Sequence, residues 1–260
     1  MDKKIILIIG ASSGIGKFIS TMLVRENNIV INADITNSAA SNWTIDSHIY
    51  EVHLDVTSNN QIIDLANDIS TKFGVLDTLI YAPAPSRSNR KSFPENLDSV
   101  DNELNILLKG AMSCIRFFYP VMLGSRNPSI LLLGSILGSL IAHESLGYHL
   151  SKSALIHGMN YFAVNLAKHN IRVNMISPGL VKRQHSADNS GEPTESQNLF
   201  DAYIKYAVPL GRSSEYEDIY QATSYLISDK AKYITGSNLT LDGGLSLQEP
   251  FNLARNFRIT

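Results

Sequence analysis

The passage from Ile5 to Leu23 constrains this chain more than any other. Ile5-Ile6-Leu7-Ile8-Ile9 is an unbroken apolar run, Gly10-Ala11-Ser12-Ser13-Gly14-Ile15-Gly16 follows at once, and Phe18, Ile19, Met22 and Leu23 then recur at helical spacing. A β-branched run without polar alternation fits a strand covered on both faces. Strand, glycine turn and helix in that order set the unpaired N–H groups and positive dipole end of a helix behind a turn with no side chains in the way. A pyrophosphate can approach such a backbone, so the pattern predicts dinucleotide binding; a plain Gly-Ser loop is the alternative that the two flanking elements argue against.

The alternation continues down the chain. Further strands are expected at Ile29–Asp34, Ile49–Leu54, Leu76–Tyr81, Ile130–Leu133, Ile171–Ile176 and Asn238–Leu241, with helical periodicity over 59–73, about 100–123, 148–168 and 215–227. The implied fold is α/β: a single-domain, Rossmann-like, doubly wound parallel sheet with helices on both faces, spanning residues 1–260 and binding its ligand at the carboxyl ends of the strands. The second strand ends in Asp34, about 20 residues past the glycine turn, where a carboxylate meets the adenosine ribose. Its charge would repel a 2′-phosphate and neither Ser13 nor Ile35 offsets it, so NAD(H) is favoured over NADP(H). A turn role for Asp34 is the rival reading, because Thr36, Asn37 and Ser38 follow. Asp55 either accepts from an adenine amino group or caps the next helix.

Composition narrows the class. With 44% hydrophobic residues the chain can build one large α/β core, and a net charge of −2 with both signs scattered gives no electrostatic footprint for nucleic acid or an anionic membrane. The one cysteine, Cys114, lies in an apolar run and reads as a buried thiol in a chain of the reducing cytoplasm. The Met1–Ile9 start resembles a signal peptide but runs into glycine too soon, and no apolar stretch reaches the roughly 20 residues of a membrane helix.

Tyr148 and Lys152 stand four residues apart, on one face of a helix. A free phenol is a poor base at neutral pH, and a neighbouring ammonium favours the phenolate, so such a pair can shuttle protons. The spacing alone is weak among 11 tyrosines. Asn105, inside an apolar helix, needs a partner for its amide and reads as a clamp or a water relay. His143, His149 and His185 have no partners that suggest a metal or a triad, and no metal site is expected.

Taken together these residues resemble the short-chain dehydrogenase/reductase family over residues 5–244. Gly10, Gly14 and Gly16 are similar to its cofactor glycines; Asp34 and Asp55 fall where it contacts adenosine; Asn105, Ser135, Tyr148 and Lys152 fall on its catalytic tetrad in order. The resemblance implies cofactor contacts from Ser12, Ser13, Ile15, Val56, Ala82, Pro178, Gly179 and Val181 as well as from Tyr148 and Lys152. It implies hydride transfer between nicotinamide and a carbinol or carbonyl carbon of a small molecule, with Tyr148 as acid/base, Lys152 assisting it and bonding the nicotinamide ribose, Ser135 holding the substrate oxygen and Asn105 positioning a water. It also implies a homotetramer or homodimer built on the helices near 100–123 and 148–168. Arg172 to Gly179, Pro209 to Arg212 and Asp242-Gly-Gly are similar to family segments that need not be catalytic.

The departures are specific. Ile9 replaces a usual threonine, Tyr81-Ala82-Pro83-Ala84 stands where the family has Asn-Asn-Ala-Gly, and Arg183 stands where a threonine commonly holds the carboxamide. Two amides are lost and Pro83 removes a backbone donor. These changes suggest an alternative, a non-catalytic dinucleotide-binding or regulatory protein of the same fold; a lyase or epimerase using the same Tyr/Lys pair ranks third. Substrate lining is expected from 83–95, 136–147 and a polar loop at about 182–205. There Arg87, Arg90, Lys91, Lys182 and Arg183 would suit an anionic substrate. The tail, 245–260, carries Phe251, Leu253, Phe257 and Ile259, which suit docking on a neighbouring subunit.

Overall fold

A computed structural model describes residues 3–37, 44–46, 48–84, 97–182 and 195–249. Eight strands form one sheet: β1 (Ile5–Ile9), β2 (Ile29–Asp34), β3 (Thr44–Asp46), β4 (Ile49–His53), β5 (Thr78–Tyr81), β6 (Ser129–Leu133), β7 (Arg172–Pro178) and β8 (Asn238–Leu241). Their order is β3-β4-β2-β1-β5-β6-β7-β8, parallel throughout except for the antiparallel β3–β4 pair. The chain winds outward from β1 through β2 and β4, then restarts at β5 on the other side. The switch point, and with it the ligand crevice of such sheets, therefore lies at the carboxyl ends of β1 and β5.

Burial explains the apolar runs. All five β1 residues are buried. Ile6 and Ile8 pack with Ile19 and Leu23 of helix α1 (Gly14–Arg25) and with Leu226 of α7 (Tyr216–Ile227). Leu7 and Ile9 pack on the opposite face with Cys114 and Phe118 of α4 (Gly110–Met122), beside α2 (Asn59–Phe73). Cys114 is a buried free thiol, and burial pushes its ionisation up. Helix α5 spans Leu146–Leu166.

Several boundaries differ from the sequence reading. The three-residue β3, paired to β4 by a hairpin, was not expected. Ser177 and Pro178, beyond the expected strand end at Ile176, complete β7: Pro178 pairs with Leu241 at the last rung, and Gly179 N–H continues the ladder to Leu241 O at 2.9 Å. The single helix expected over 100–123 is α3 (Leu97–Glu103), a π-helical turn (Leu104–Lys109) and α4. Part of the expected loop at 182–205 is helix α6 (Glu195–Ala207), which buries Ile204 and Ala207. Among the described residues no helix is long and apolar enough to cross a membrane.

Candidate active site

Strand β1 delivers the glycine turn to the switch point. Gly10 has φ +84°, and a Cβ there would stand 2.7 Å from Pro83 Cα, so the end of β5 lies directly on the turn. Only glycine tolerates both demands. Ala82, half-buried, keeps the ladder by donating from N to Ile9 O at 2.9 Å; Pro83, which has no N–H, follows where the chain leaves the sheet. Gly16 is buried against the Gly10 carbonyl, Ile15 packs against the core, and Ser13 and Gly14 are exposed at the start of α1. Ser13 takes the N-cap position in extended conformation without a side-chain hydrogen bond to the helix. The first turn of α1 is thus not closed by its own cap, the disposition an anion-binding terminus needs.

Asp34 ends β2 beside this turn. Its Oδ2 accepts from Ser12 N at 3.2 Å, and its Oδ1 accepts from Thr36 N at 3.0 Å and Thr36 Oγ1 at 2.9 Å. Burial pushes this carboxyl up, but the hydrogen bonds from Thr36 and Ser12 outweigh it and hold Asp34 below the usual carboxylate range. Asp34 therefore takes the turn role and keeps its charge beside the glycine loop. Asp55 accepts at Oδ1 from Thr57 N (2.9 Å) and Thr57 Oγ1 (2.7 Å), while the actual N-cap of α2 is Ser58. Val56 is buried in the core.

On the other side of the switch point, Ser135 follows β6 and N-caps a short 3-10 turn, its Oγ accepting from Leu137 N at 3.1 Å. Lys152 is buried on α5; its Nζ donates to Leu133 O, the last residue of β6, at 2.6 Å and lies 5.6 Å from the Tyr148 ring centroid. The ammonium is thereby tied to the strand end that carries Ser135 and set beside the phenol. Pro178 is buried and Gly179 and Val181 are half-buried at the end of β7. Val181 forms a parallel bridge with Ser214, in which Leu180 O and Lys182 N make the bonds.

Asn105 is half-buried in the π-turn. Its Oδ1 accepts from Lys109 Nζ at 3.0 Å on the exposed side of the π-turn. The apolar surroundings in sequence suggested burial; the wider turn puts Leu107, not Asn105, into the core. Tyr81, the residue in place of the first family amide, is buried and donates from Oη to Ile106 O at 2.5 Å. That carbonyl belongs to the π-turn, so the phenol braces the helix that the missing amide does not. Sequence reasoning also missed a set of contacts before Tyr148: Ser145 N-caps α5, and His149 lies between Ser145 O and Ala142 N. A serine three residues before Tyr148 was the available cap signal. Arg87, Arg90, Lys91, Arg183, His185 and the tail aromatics lie outside the described residues; Lys182 is exposed. Among the described residues no group of His, Cys, Asp and Glu could hold a metal ion.

A doubly wound sheet with a glycine turn at its switch point and a buried lysine beside a tyrosine is the architecture of a dinucleotide-dependent oxidoreductase. A family model described as enoyl-(acyl carrier protein) reductase matches residues 10–246, and the chain belongs to the short-chain dehydrogenase/reductase family. It is 29% identical to a 3-oxoacyl-(acyl-carrier-protein) reductase of Thermotoga maritima, covering 94% of this chain and 98% of that one. It is 27% identical to a 7alpha-hydroxysteroid dehydrogenase of Bacteroides fragilis, with 96% of each covered. Among solved structures, an aldohexose dehydrogenase of Thermoplasma acidophilum superposes with a TM-score of 0.82 at 24% identity, covering 95% of this chain and 96% of that chain. A short-chain dehydrogenase of Leptospira borgpetersenii with bound NAD+ gives a TM-score of 0.79 at 24% identity, covering 94% and 93%.

Proposed function

We propose that this protein is an NAD(H)-dependent oxidoreductase acting on a carbinol or carbonyl carbon of a small molecule, with Tyr148 as its acid/base. The observation that carries the reading is the buried Lys152 ammonium, fixed by Leu133 O at 2.6 Å and 5.6 Å from the Tyr148 ring centroid. The residues at the switch point fit a nicotinamide dinucleotide: the open start of α1 suits the pyrophosphate, and the Asp34 carboxylate suits two ribose hydroxyls better than a 2′-phosphate. When bound, the cofactor supplies or accepts the hydride.

The chain's own groups do the rest. Tyr148 donates a proton to the substrate oxygen in reduction and takes it back in oxidation. Lys152 stabilises negative charge on the phenol oxygen while that proton is away. Ser135, extended at the end of β6, holds the substrate oxygen by its hydroxyl. Asn105, on the π-turn that packs against α5, positions a water that links Lys152 to solvent. The relatives that act on 3-oxoacyl and hydroxysteroid groups support a ketone or secondary alcohol as the substrate. Exposed apolar residues on the outer face of α5, Tyr161 at 64% and Val164 at 77%, support packing of α4 and α5 against a second copy.

Fluorescence titration with NADH and NADPH, followed by assay of wild type and Tyr148→Phe on a panel of ketones and alcohols, tests the reading. Tighter binding of NADH and turnover that depends on Tyr148 are expected. The second reading, a dinucleotide-binding protein without turnover, draws on Ile9 and the Tyr81-Ala82-Pro83-Ala84 segment; NADH binding with no Tyr148-dependent turnover would select it.

A further inference from the structure

The amide of Tyr148 is one hydroxyl away from a buried carboxylate. Ser145 Oγ accepts from Tyr148 N at 3.3 Å and donates to Oε2 of Glu103, a buried residue at the end of α3, at 2.5 Å. A serine hydroxyl has one proton and two lone pairs. With the proton committed to Glu103, the lone pairs turn toward the open N–H groups of α5, and the carboxylate sits at the positive end of that 21-residue helix.

The packing around the pair is built for this approach. A Cβ on Gly147 would lie 2.6 Å from Glu103 Oε2 and 2.9 Å from Val100 Cα, so any other residue would push α3 away from the start of α5. On the far side His149 is held at both ring nitrogens: Nδ1 is 2.8 Å from Ser145 O, and Nε2 accepts from Ala142 N at 3.2 Å. With Ser145 O and Ala142 N–H as its partners, the ring donates at Nδ1 and accepts at Nε2. The turn that carries Tyr148 is therefore tied to α3 through a carboxylate and to the loop before it through an imidazole.

We infer that Glu103 is the positioning residue for Tyr148, fixing the first turn of α5 through the Ser145 hydroxyl. It touches no reacting atom; it sets where the phenol stands relative to Ser135 and Lys152. A buried carboxylate with no ligand to hold is costly unless it is hydrogen-bonded, and the bonded group here is the cap of the helix that bears the acid/base. The inference rests on the oxidoreductase reading only in what the positioned phenol is for.

The test compares wild type, Glu103→Gln, Glu103→Leu and Ser145→Ala in the full chain by hydrogen exchange with mass spectrometry, and by steady-state reduction of ethyl acetoacetate with NADH. Loss of the acceptor or of the cap should speed exchange over residues 145–152 by roughly five- to tenfold, the size of one lost N-cap, while β1 and β6 keep their protection. In the same variants kcat should fall by about tenfold or more, with KM for NADH within about twofold, since a misplaced catalytic group loses rate rather than binding. Glu103→Gln keeps an acceptor of the same shape and should restore both. Unchanged exchange over 145–152 in Glu103→Leu would overturn the inference, as would loss of protection throughout the sheet or failure of glutamine to restore what leucine removes. If Glu103→Leu does not fold, Ser145→Ala against Ser145→Thr makes the same comparison. If wild type does not reduce ethyl acetoacetate, the choice of substrate or the activity reading has failed, and the exchange comparison still decides on Glu103.

Discussion

The two edges of the sheet handle polar groups in opposite ways. At the amino edge they close on one another and on a helix end. Arg172, buried at the start of β7, donates to Leu226 O at 2.7 Å and to Ser228 O, Ile234 O and Asn127 Oδ1 at 3.4 Å each. Lys4 Nζ reaches Ile227 O at 2.8 Å, and Asp77 accepts from Ile5 N at 2.8 Å and Ser125 Oγ at 2.5 Å. Burial lowers the proton affinity of both Lys4 and Arg172, partly offset by Asp229, yet both remain cations at the negative end of α7. At the carboxyl edge, Asp34 is held by Ser12 and Thr36 and Lys152 by Leu133 O, each fixed chiefly by main chain around a glycine turn. The first edge is organised to join elements, the second to hold single groups at set positions beside a crevice. Substitutions at the two edges should therefore separate stability from activity.

The largest separation is expected from Lys152→Ala. Removing the ammonium beside Tyr148 should lower kcat/KM by roughly 10²–10⁴-fold, while the one hydrogen bond lost at Leu133 O should cost about 1–2 kcal/mol, measured by steady-state kinetics and urea unfolding. Arg172→Met should do the reverse: about 2–4 kcal/mol less stability in urea unfolding, because buried carbonyls lose their donor, with NADH affinity of the folded protein unchanged. Asp34→Asn should cut the preference for NADH over NADPH by about tenfold, read from the two dissociation constants. Tyr81→Phe, which leaves Ile106 O without its phenol, should cost about 1–2 kcal/mol and, unlike the amino-edge change, should also lower kcat, because the π-turn packs on α5.

The smallest effect lies on the surface, where Arg212 forks onto Asp218 at 2.6 and 2.8 Å. The Arg212 side chain, through its hydrogen bonds, and the Glu215 N–H hold the Asp218 carboxyl down at about 2. A depressed native value means that this contribution is complete above the unfolded carboxylate range and is lost as pH falls through about 2. Asp218→Asn should lower the thermal midpoint by roughly 1–2 °C at pH 7, given solvent screening of an exposed pair, and the difference should shrink below pH 4.

Much of this was legible in the sequence, and for identifiable reasons. The seven parallel strands, the glycine turn, Asp34, Ser135 and the Tyr148–Lys152 spacing are local patterns whose period or order survives in one dimension. What escaped depends on distant partners. The π-turn at Leu104–Lys109 is braced by a tyrosine from β5, so no periodicity within it announces that Leu107 rather than Asn105 enters the core. Three-residue β3 is too short to alternate, and α6 was hidden in a polar stretch. The Ser145 cap lay open to reading, but its link to Glu103 crosses 42 positions and needs Gly147 to make room. Arg172 was noted only as part of a familiar segment; its work at the end of α7 requires the fold.

The central claim is that Tyr148 moves the substrate proton at a site that takes NAD(H). Its most direct test is the rate of NADH oxidation by purified wild type and Tyr148→Phe against a panel of ketones, with NADH binding by both measured in parallel by fluorescence. The account predicts NADH affinity within about threefold, the size of one cofactor contact, and a fall in kcat/KM of roughly 10²-fold or more on any ketone the wild type reduces. A Tyr148→Phe protein that reduces the same ketone at the wild-type rate would contradict it.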